Sequence, residues 1–221
     1  IWIGTNNGLN KLNPELNIVS RYYRDAPKKN ILNSNIINSI TEDSKGQIWI
    51  GTPAGLNLFS ASKNESQSFR SGSSSEESLP NDHVIRLFVD RSGLVWVGTL
   101  TAGISTINQE SPQFLAVRYD GSDDYEPEQN VINAFCEIDT SLFWIGTERG
   151  IVEYDANTGK SVFLADKKNH VLNDMDASVK AIVRADSVIW IGTDGSGLFE
   201  YLPESKELRQ YLVSEAPSSI S

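Results

Sequence analysis

Five copies of one short motif recur along the chain, and each copy holds one of its five tryptophans. The motif is an apolar residue, Trp, a β-branched residue, Gly and Thr, and the copies begin at Ile1, Ile48, Val95, Phe143 and Ile189. Successive tryptophans are 47, 47, 48 and 46 residues apart. A fixed period of about 40 to 50 residues is typical of arrays built from repeated β-sheets or repeated helical pairs. The spacing therefore limits the chain to these two architectures.

The residue types within each repeat decide between repeated β-sheets and repeated helical pairs. Each repeat holds short runs of β-branched and aromatic residues bounded by Gly, Pro, Asn, Asp and Ser, without the period of a helix. The first run has apolar residues at its first and fourth positions, and it covers residues 37–42, 84–89, 132–137 and 179–184. The Trp motif is the second run, the third opens on Gly-Leu or Gly-Ile, and the fourth is weakly patterned, as expected of a half-solvated outer strand.

These runs predict an all-β chain of four-stranded blades, a β-propeller fold of which about four to five blades are present. The predicted units are 1–34, which is incomplete, 35–82, 83–129, 130–176 and 177–221. Residue 1 falls in a second strand, and residues 218–221 are comparable to 80–83, which lead into a first strand. We therefore expect part of a larger propeller, with closure at five blades as the alternative.

Composition excludes several classes of function. The 29 acidic and 19 basic residues give a net charge of -10, which disfavours nucleic acid as a partner. Cys136 is the single cysteine, so no intrachain disulfide can form, and its place in an apolar run predicts a packed thiol. His83 and His170 lie in different repeats, which predicts no metal site, and nothing indicates a cofactor. No stretch approaches the roughly 20 apolar residues that span a bilayer.

Long, irregular connections lead from each fourth run to the next first run, and they should emerge on one edge together with the turns after the Trp motif. Binding residues concentrate on loops of a rigid scaffold. Aromatic platforms and planar hydrogen-bonding groups suit sugars and uronates. The candidate ligand-binding residues on these segments, together with one arginine of a first strand, are Tyr23, Arg24, Arg86, Tyr125, Glu148, Arg149 and Asp194.

Each candidate has an alternative reading as a solvated loop residue. Arg86 can point into a central channel or pair with a carboxylate of a neighbouring blade. The acidic stretch 120–126 does not have the spacing of a calcium loop. The motif tryptophans and glycines are expected to be structural elements of the repeat, with the indoles packed between adjacent sheets: Trp2, Trp49, Trp96, Trp144, Trp190, Gly4, Gly51, Gly98, Gly146 and Gly192.

Residues 37–58, INSITEDSKGQIWIGTPAGLNL, closely resemble the repeat of the two-component regulator propeller family, and the resemblance extends over nearly the whole chain. It implies a periplasmic sensor region of a membrane-spanning histidine kinase or hybrid regulator. Such regions have propellers of about seven blades that recognise an extracellular signal, often an oligosaccharide. The expected partners are therefore an oligosaccharide or other small extracellular ligand, the remaining blades and domains of the same protein, and a second subunit in a homodimer.

Three hypotheses for the function follow. The first is a ligand-sensing segment without catalytic activity of its own, which passes a signal to a cytoplasmic kinase that these residues do not include. The second is a scaffold whose long loops hold a protein partner. The third is an enzyme, which would need a clustered set of acids, bases or metal ligands on the inner strands, whereas the sequence shows only scattered candidates.

Overall fold

The computed structural model describes residues 1–24, 32–72, 78–108, 114–117, 131–166, 171–172 and 177–212. Apart from a single 3-10 turn at Leu164–Asp166, the regular structure of these residues is β-strand. Within the same ranges, no helix has the length and apolar character needed to cross a membrane. The predicted all-β fold is confirmed.

The described strands form five antiparallel sheets, each built from strands that follow one another in the chain. The first sheet contains β1 (Trp2–Thr5), β2 (Gly8–Asn13) and β3 (Ile18–Tyr22). The second contains β4 (Ser39–Glu42), β5 (Ile48–Thr52), β6 (Gly55–Ser60) and β7 (Glu65–Phe69). The third contains β8 (Val84–Val89), β9 (Val95–Thr99), β10 (Ile104–Ile107) and β11 (Phe114–Val117).

The fourth sheet contains β12 (Ile132–Glu137), β13 (Leu142–Thr147), β14 (Gly150–Asp155) and β15 (Lys160–Phe163). The fifth contains β16 (Val179–Ala185), β17 (Val188–Thr193), β18 (Leu198–Leu202) and β19 (Glu207–Tyr211). Strand order within each sheet follows the chain, so these are the meandering blades that the repeat predicts. The prediction began the first strand of the second sheet at Ile37, whereas the paired strand begins at Ser39. The Ile37 amide donates to the Thr5 carbonyl of the first sheet at 3.0 Å.

The chain divides into two compact units, Ile1–Tyr119 with Asn130–Ile132, and Asp120–Gln129 with Asn133–Ser221. The first unit holds the first three sheets, and the second unit holds the last two from Asn133 onward. In the first unit, one apolar cluster lies between the first and second sheets and another between the second and third. In the second unit, one cluster joins the fourth and fifth sheets.

The three clusters share one plan. The Trp strand of one sheet contributes its indole, and the first two strands of the next sheet contribute β-branched residues, as Trp144 and Ile189 do in the second unit. Trp49, Trp96 and Trp144 are buried, each at most 3% exposed. Each cluster also buries a leucine from the connection between its sheets, which the sequence analysis did not single out: Leu32, Leu79 and Leu172.

The glycine of the Trp motif leaves space for an apolar side chain of the next sheet, and we call this space the glycine socket. A Cβ added at Gly4, Gly51 or Gly146 would lie 2.6, 2.6 or 2.7 Å from a methyl group of the next first strand. Atoms at that separation overlap, so only glycine admits the neighbour. The methyl groups belong to the apolar residue at the first position of each first run: Ile37, Val84 and Val179.

An aspartate between the first and second strands accepts hydrogen bonds both from amides of the turn and from the indole of the Trp motif. One carboxylate oxygen of Asp43 accepts the amides of Lys45 and Gln47, as the turn chemistry predicts, and the other accepts Trp49 Nε1 at 2.9 Å. Asp90 bonds Trp96 in the same way. In the fourth sheet the shorter turn is still capped by Asp139, but the acceptor for the indole of Trp144 is Glu153.

Candidate ligand-binding edge

A four-stranded meander places the turn after its second strand at the same edge as the connection to the next sheet, as the sequence analysis assumed. Long parts of these connections lie outside the described residues. Tyr125 and the acidic stretch 120–126 are among them, as is His170. The edge is therefore built here from the turns after the Trp strands and from the ends of the connections.

All five of these turns have the same hydrogen-bonded form, which we call the Thr turn. The Oγ1 of its threonine donates to the carbonyl of the following glycine at 2.7 to 3.1 Å. That glycine has a φ between 70° and 120°, a conformation that glycine adopts without strain. The five Thr turns carry the residues at the edge: Thr5–Gly8, Thr52–Gly55, Thr99–Gly103, Thr147–Gly150 and Thr193–Gly197.

Glu148, in the Thr turn of the fourth sheet, is the centre of a polar cluster. Its Oε1 accepts Asn133 Nδ2 at 2.8 Å and Lys180 Nζ at 2.7 Å, and its Oε2 accepts Ser178 Oγ at 2.6 Å. Asn133 belongs to the fourth sheet, whereas Ser178 and Lys180 lie at the start of the fifth. The carboxylate therefore joins the two sheets of the second unit at this edge.

The partners of Glu148 also set its charge. Burial alone would raise its pKa, but hydrogen bonds from Lys180, Ser178 and Asn133 and the charge of Lys180 outweigh it and lower the pKa from 4.5 to about 2. The group is therefore ionised at neutral pH and committed to three donors. These hydrogen bonds suit a residue that holds the neighbouring side chains of the edge in position.

Asp194, in the Thr turn of the fifth sheet, occupies the same repeat position as Glu148. Its amide donates to the Ser178 carbonyl at 2.8 Å, while the Ser178 hydroxyl donates to Glu148. Ser178 thus brings the two acidic positions together. The Asp194 side chain is exposed, in contrast to the partly buried Glu148.

Arg149 follows Glu148 in the same turn. Its amide donates to Thr147 Oγ1 at 3.1 Å, which fixes its backbone, and its side chain is half-buried. The second unit therefore brings together three of the predicted residues, Glu148, Arg149 and Asp194.

The remaining described candidates lie in the first unit. The Tyr23 ring is beside Gly8, where an added Cβ would approach its Cδ1 to 3.0 Å, and the amide of the exposed Arg24 donates to Asn35 Oδ1 at 2.8 Å. Arg86, half-buried on β8, donates from Nη1 to the Ile85 carbonyl at 3.1 Å. Neither of its two predicted roles is tested by this bond.

Three residues of the Glu148 cluster were not predicted: Asn133, Ser178 and Lys180. The sequence did contain one signal for Asn133, since an asparagine, Asn38, occupies the same position in another repeat. Asn38 Nδ2 likewise bonds the next sheet, donating to the Val84 carbonyl at 2.8 Å. A β-bulge between Val179 and Ala181 leaves Lys180 unpaired on β16. Bulges redirect side chains, and sequence alone did not indicate this one.

Other chemistry at the described residues is limited. No group of three or more His, Cys, Asp or Glu side chains within the described ranges could hold a metal ion. Cys136 is a buried free thiol, as predicted, and burial raises its pKa. A thiol of this kind is a packing residue.

The family model described as two component regulator propeller matches residues 31–54 and 78–101. Both segments run from the end of a connection through the first strand and the Trp strand, in the second and third sheets. Two repeats of this chain are two component regulator propeller repeats. No match to a curated protein was found.

Solved structures share the fold. The extracellular domain of BT3049 from B. thetaiotaomicron, provisionally described as a hybrid two component system, is 18% identical with a TM-score of 0.78, over 100% of this chain and 28% of its own. PorZ, described as an essential bacterial surface component of the type-IX secretion system of Porphyromonas gingivalis, is 18% identical with a TM-score of 0.72, over 98% of this chain and 33% of its own.

A third structure is the extracellular domain of BT4673 from B. thetaiotaomicron, provisionally described as a one component system. It is 18% identical with a TM-score of 0.63, over 95% of this chain and 35% of its own. At this identity the likeness concerns the β-propeller fold alone. The chain spans about a third or less of the length of these three structures.

Proposed function

We propose that this chain is a ligand-sensing β-propeller segment in the extracytoplasmic, periplasmic part of an inner-membrane two-component sensor histidine kinase. The family of its repeats supports a regulatory role, and two of the similar structures are extracellular domains. In this proposal the segment has no catalytic activity. It transmits ligand binding to a cytoplasmic kinase and phosphorelay as part of a homodimer.

The observation that carries the proposal is the hydrogen-bonded polar edge of the second unit. Glu148 holds Asn133, Ser178 and Lys180 in place across two sheets, and the Thr turns fix the backbones of the neighbouring residues. Preorganised polar groups bind a ligand at a lower entropic cost than mobile ones. Arg149 and Asp194 are then the residues that contact the ligand, and Glu148 positions them.

The ligand class we propose is an oligosaccharide, including sugars that carry a carboxylate. A guanidinium forms paired hydrogen bonds with carboxylates and vicinal hydroxyls, and an exposed carboxylate accepts hydroxyl donors. Tyr125, on the adjoining connection in sequence, would add an aromatic platform. Tyr23, Arg24 and Arg86, which belong to the first unit, remain predicted ligand-binding residues.

The test is calorimetric titration of the protein's whole extracytoplasmic region with a panel of plant, host and microbial oligosaccharides. The proposal expects a saturable signal that Arg149→Ala or Tyr125→Ala removes. Arg21→Ala is the matched control, because it removes an exposed arginine from the outer strand β3. A signal that survives both site substitutions would move the site elsewhere, and the absence of any signal would contradict oligosaccharide sensing.

A scaffold for a protein partner is the second candidate. The likeness to PorZ, whose description is that of a surface component of a secretion system, favours this alternative. Titration with sugars separates the two, since a scaffold would bind none of them.

A further inference from the structure

A small polar groove lies on the second sheet, at the end of β6 opposite its Thr turn. Its volume is about 210 Å³. We call it the hairpin groove, because the β6–β7 hairpin supplies most of its lining. The residues that line it belong to this sheet and its turns, and they include Gln47, Leu58, Ser60, Lys63, Glu65 and Gln67.

The strand register places four of these side chains on one face. Leu58 is opposite Gln67, and Ser60 is opposite Glu65. Residues directly opposite each other, and residues two apart along a strand, point to the same side of a sheet. The four side chains therefore share the face that carries Trp49, which is opposite Leu58 on β5. Leu58 packs against the apolar cluster between the second and third sheets and is the apolar residue of the groove.

The hydrogen-bond partner of the indole explains why an apolar residue can stand opposite Trp49. In the fourth sheet the residue opposite the tryptophan is Glu153, which accepts Trp144 Nε1 at 3.0 Å. In the second sheet Trp49 Nε1 donates instead to Asp43, at 2.9 Å. The position of Leu58 is therefore not needed to accept the indole, and it can line a groove.

The polar residues of the groove do not recur in the other described repeats. At the position of Lys63, the corresponding turns have Leu16, Thr158 and Ser205. At the position of Gln47, the other repeats have Leu94, Leu142 and Val188. Residues that the repeat itself requires, such as the glycine of the Trp motif, are present in every copy. The hairpin groove is thus a feature of one blade, as expected of a ligand site.

The groove holds one cation and one anion at the same end. Lys63 lies in the turn that follows β6, and Glu65 is the first residue of β7. Gln47 and Gln67 add neutral amides, each with donors and an acceptor. The charges of the lining residues cancel, so the groove favours neither a simple anion nor a simple cation.

An α-amino acid carries its ammonium and its carboxylate on one carbon, so it fits opposite charges placed at one end of a groove. Its carboxylate would pair with Lys63 and its ammonium with Glu65. A carboxylate has about four acceptor positions, so Glu65 can bind the ammonium in addition to its contacts within the protein. A polar side chain would then lie along Leu58, with Gln47 and Gln67 as hydrogen-bonding partners.

The volume of the groove limits the size of the ligand. It equals that of about seven water molecules at about 30 Å³ each. Drug-sized ligands occupy pockets of about 300 Å³ or more. We propose that the hairpin groove binds a free α-amino acid with a short polar side chain, such as asparagine or serine. The groove shares no residue with the oligosaccharide edge proposed for the second unit.

The test is an amide-correlation NMR titration of the intact chain with L-asparagine. The proposal expects saturable shifts of the backbone amides of residues 58–67 with a Kd of about 1 mM, because so small a ligand makes few contacts. Lys63→Gln and Glu65→Gln should each raise the Kd about tenfold. The matched controls are Lys160→Gln and Glu207→Gln, which change exposed residues at the position of Glu65 in other sheets and should leave the Kd unchanged.

Two further measurements separate this site from other modes of binding. N-acetyl-L-asparagine lacks the ammonium, and it should bind about tenfold more weakly than asparagine. Arg149→Ala should leave the asparagine titration unchanged, because Arg149 belongs to the oligosaccharide edge. Failure of either proposed site is therefore visible without reference to the other.

Three results would overturn the proposal. The first is the absence of saturable shifts at about 20 mM asparagine. The second is an unchanged Kd in the Lys63→Gln and Glu65→Gln variants when their spectra show the native fold. The third is an equal response to D-glucose, which would assign the groove to neutral polyols instead of amino acids.

Discussion

The fourth and fifth sheets carry the same motif on the same strand, yet their Trp faces differ in environment. Trp144 is 3% exposed and packs against the fifth sheet, with its ring 5.4 Å from that of Tyr201. Trp190 is half-buried, and its ring lies 6.0 Å from that of Tyr211 in its own sheet. The comparison shows that the repeated residues form a similar apolar face on both sheets. Packing of a neighbouring sheet is what buries that face.

Replacement of the two tryptophans should give the largest contrast. Trp144→Ala leaves a cavity in the core of the second unit and should lower the free energy of unfolding by about 4 kcal/mol. Trp190→Ala should cost about 1 kcal/mol, because the indole is only half-buried. Urea denaturation of both variants measures the contrast. Equal losses would contradict the difference in burial between Trp144 and Trp190.

Alanine at the two socket glycines gives the next contrast. Gly146→Ala forces its Cβ against Val179 and should lower the free energy of unfolding by about 2 kcal/mol. Gly192→Ala should change it by less than about 0.5 kcal/mol. Thermal unfolding monitored by circular dichroism compares the two variants. At Gly192 an added Cβ would meet nothing closer than the Ala181 Cβ at 3.7 Å, so a Gly192→Ala variant as unstable as Gly146→Ala would contradict this account.

The acidic residues of the two Thr turns provide a third comparison. Glu148→Ala removes the acceptor of three hydrogen bonds and should lower the free energy of unfolding by about 1.5 kcal/mol. Asp194→Ala should have almost no effect on stability, because its side chain is exposed and its amide bond to Ser178 does not involve the side chain. Urea denaturation at pH 7 tests this, and a larger loss for Asp194→Ala would reverse the assigned roles.

The pH dependence of stability isolates the charge of Glu148. Its pKa is about 2 in the folded chain and about 4.5 otherwise, so its contribution is present above pH 4.5 and is lost as the pH falls towards 2. Because the side chain is 31% exposed, water screens the interaction, and the loss should be about 1 kcal/mol. The difference in unfolding free energy between the parent chain and Glu148→Gln should shrink over this range. A constant difference would contradict the ionised cluster.

The strand pattern could be predicted from the sequence because each repeat contains its own local signals. Alternating apolar residues and turn glycines such as Gly55 and Gly150 act within a few residues of one another. The role of Gly146 could not be predicted in this way. Its missing Cβ matters only because Val179, in the next sheet, approaches it.

The candidate site was harder to predict than the fold. Sequence reasoning chose Glu148 as a ligand contact, and the structure adds that its carboxylate is engaged by residues 15, 30 and 32 positions away. Such pairings depend on how consecutive sheets pack and on a bulge at Lys180, neither of which leaves a local pattern. The contact with ligand predicted for Arg149 and Tyr125 stays a prediction.

The most direct test of the account is hydroxyl-radical footprinting of the intact chain, with oxidation of each tryptophan measured by mass spectrometry. Each indole reports whether the next sheet covers its face. The account predicts rapid oxidation of Trp190 and slow oxidation of Trp49 and Trp144, which the next sheet of the same unit covers. Oxidation of Trp144 as fast as that of Trp190 would contradict it.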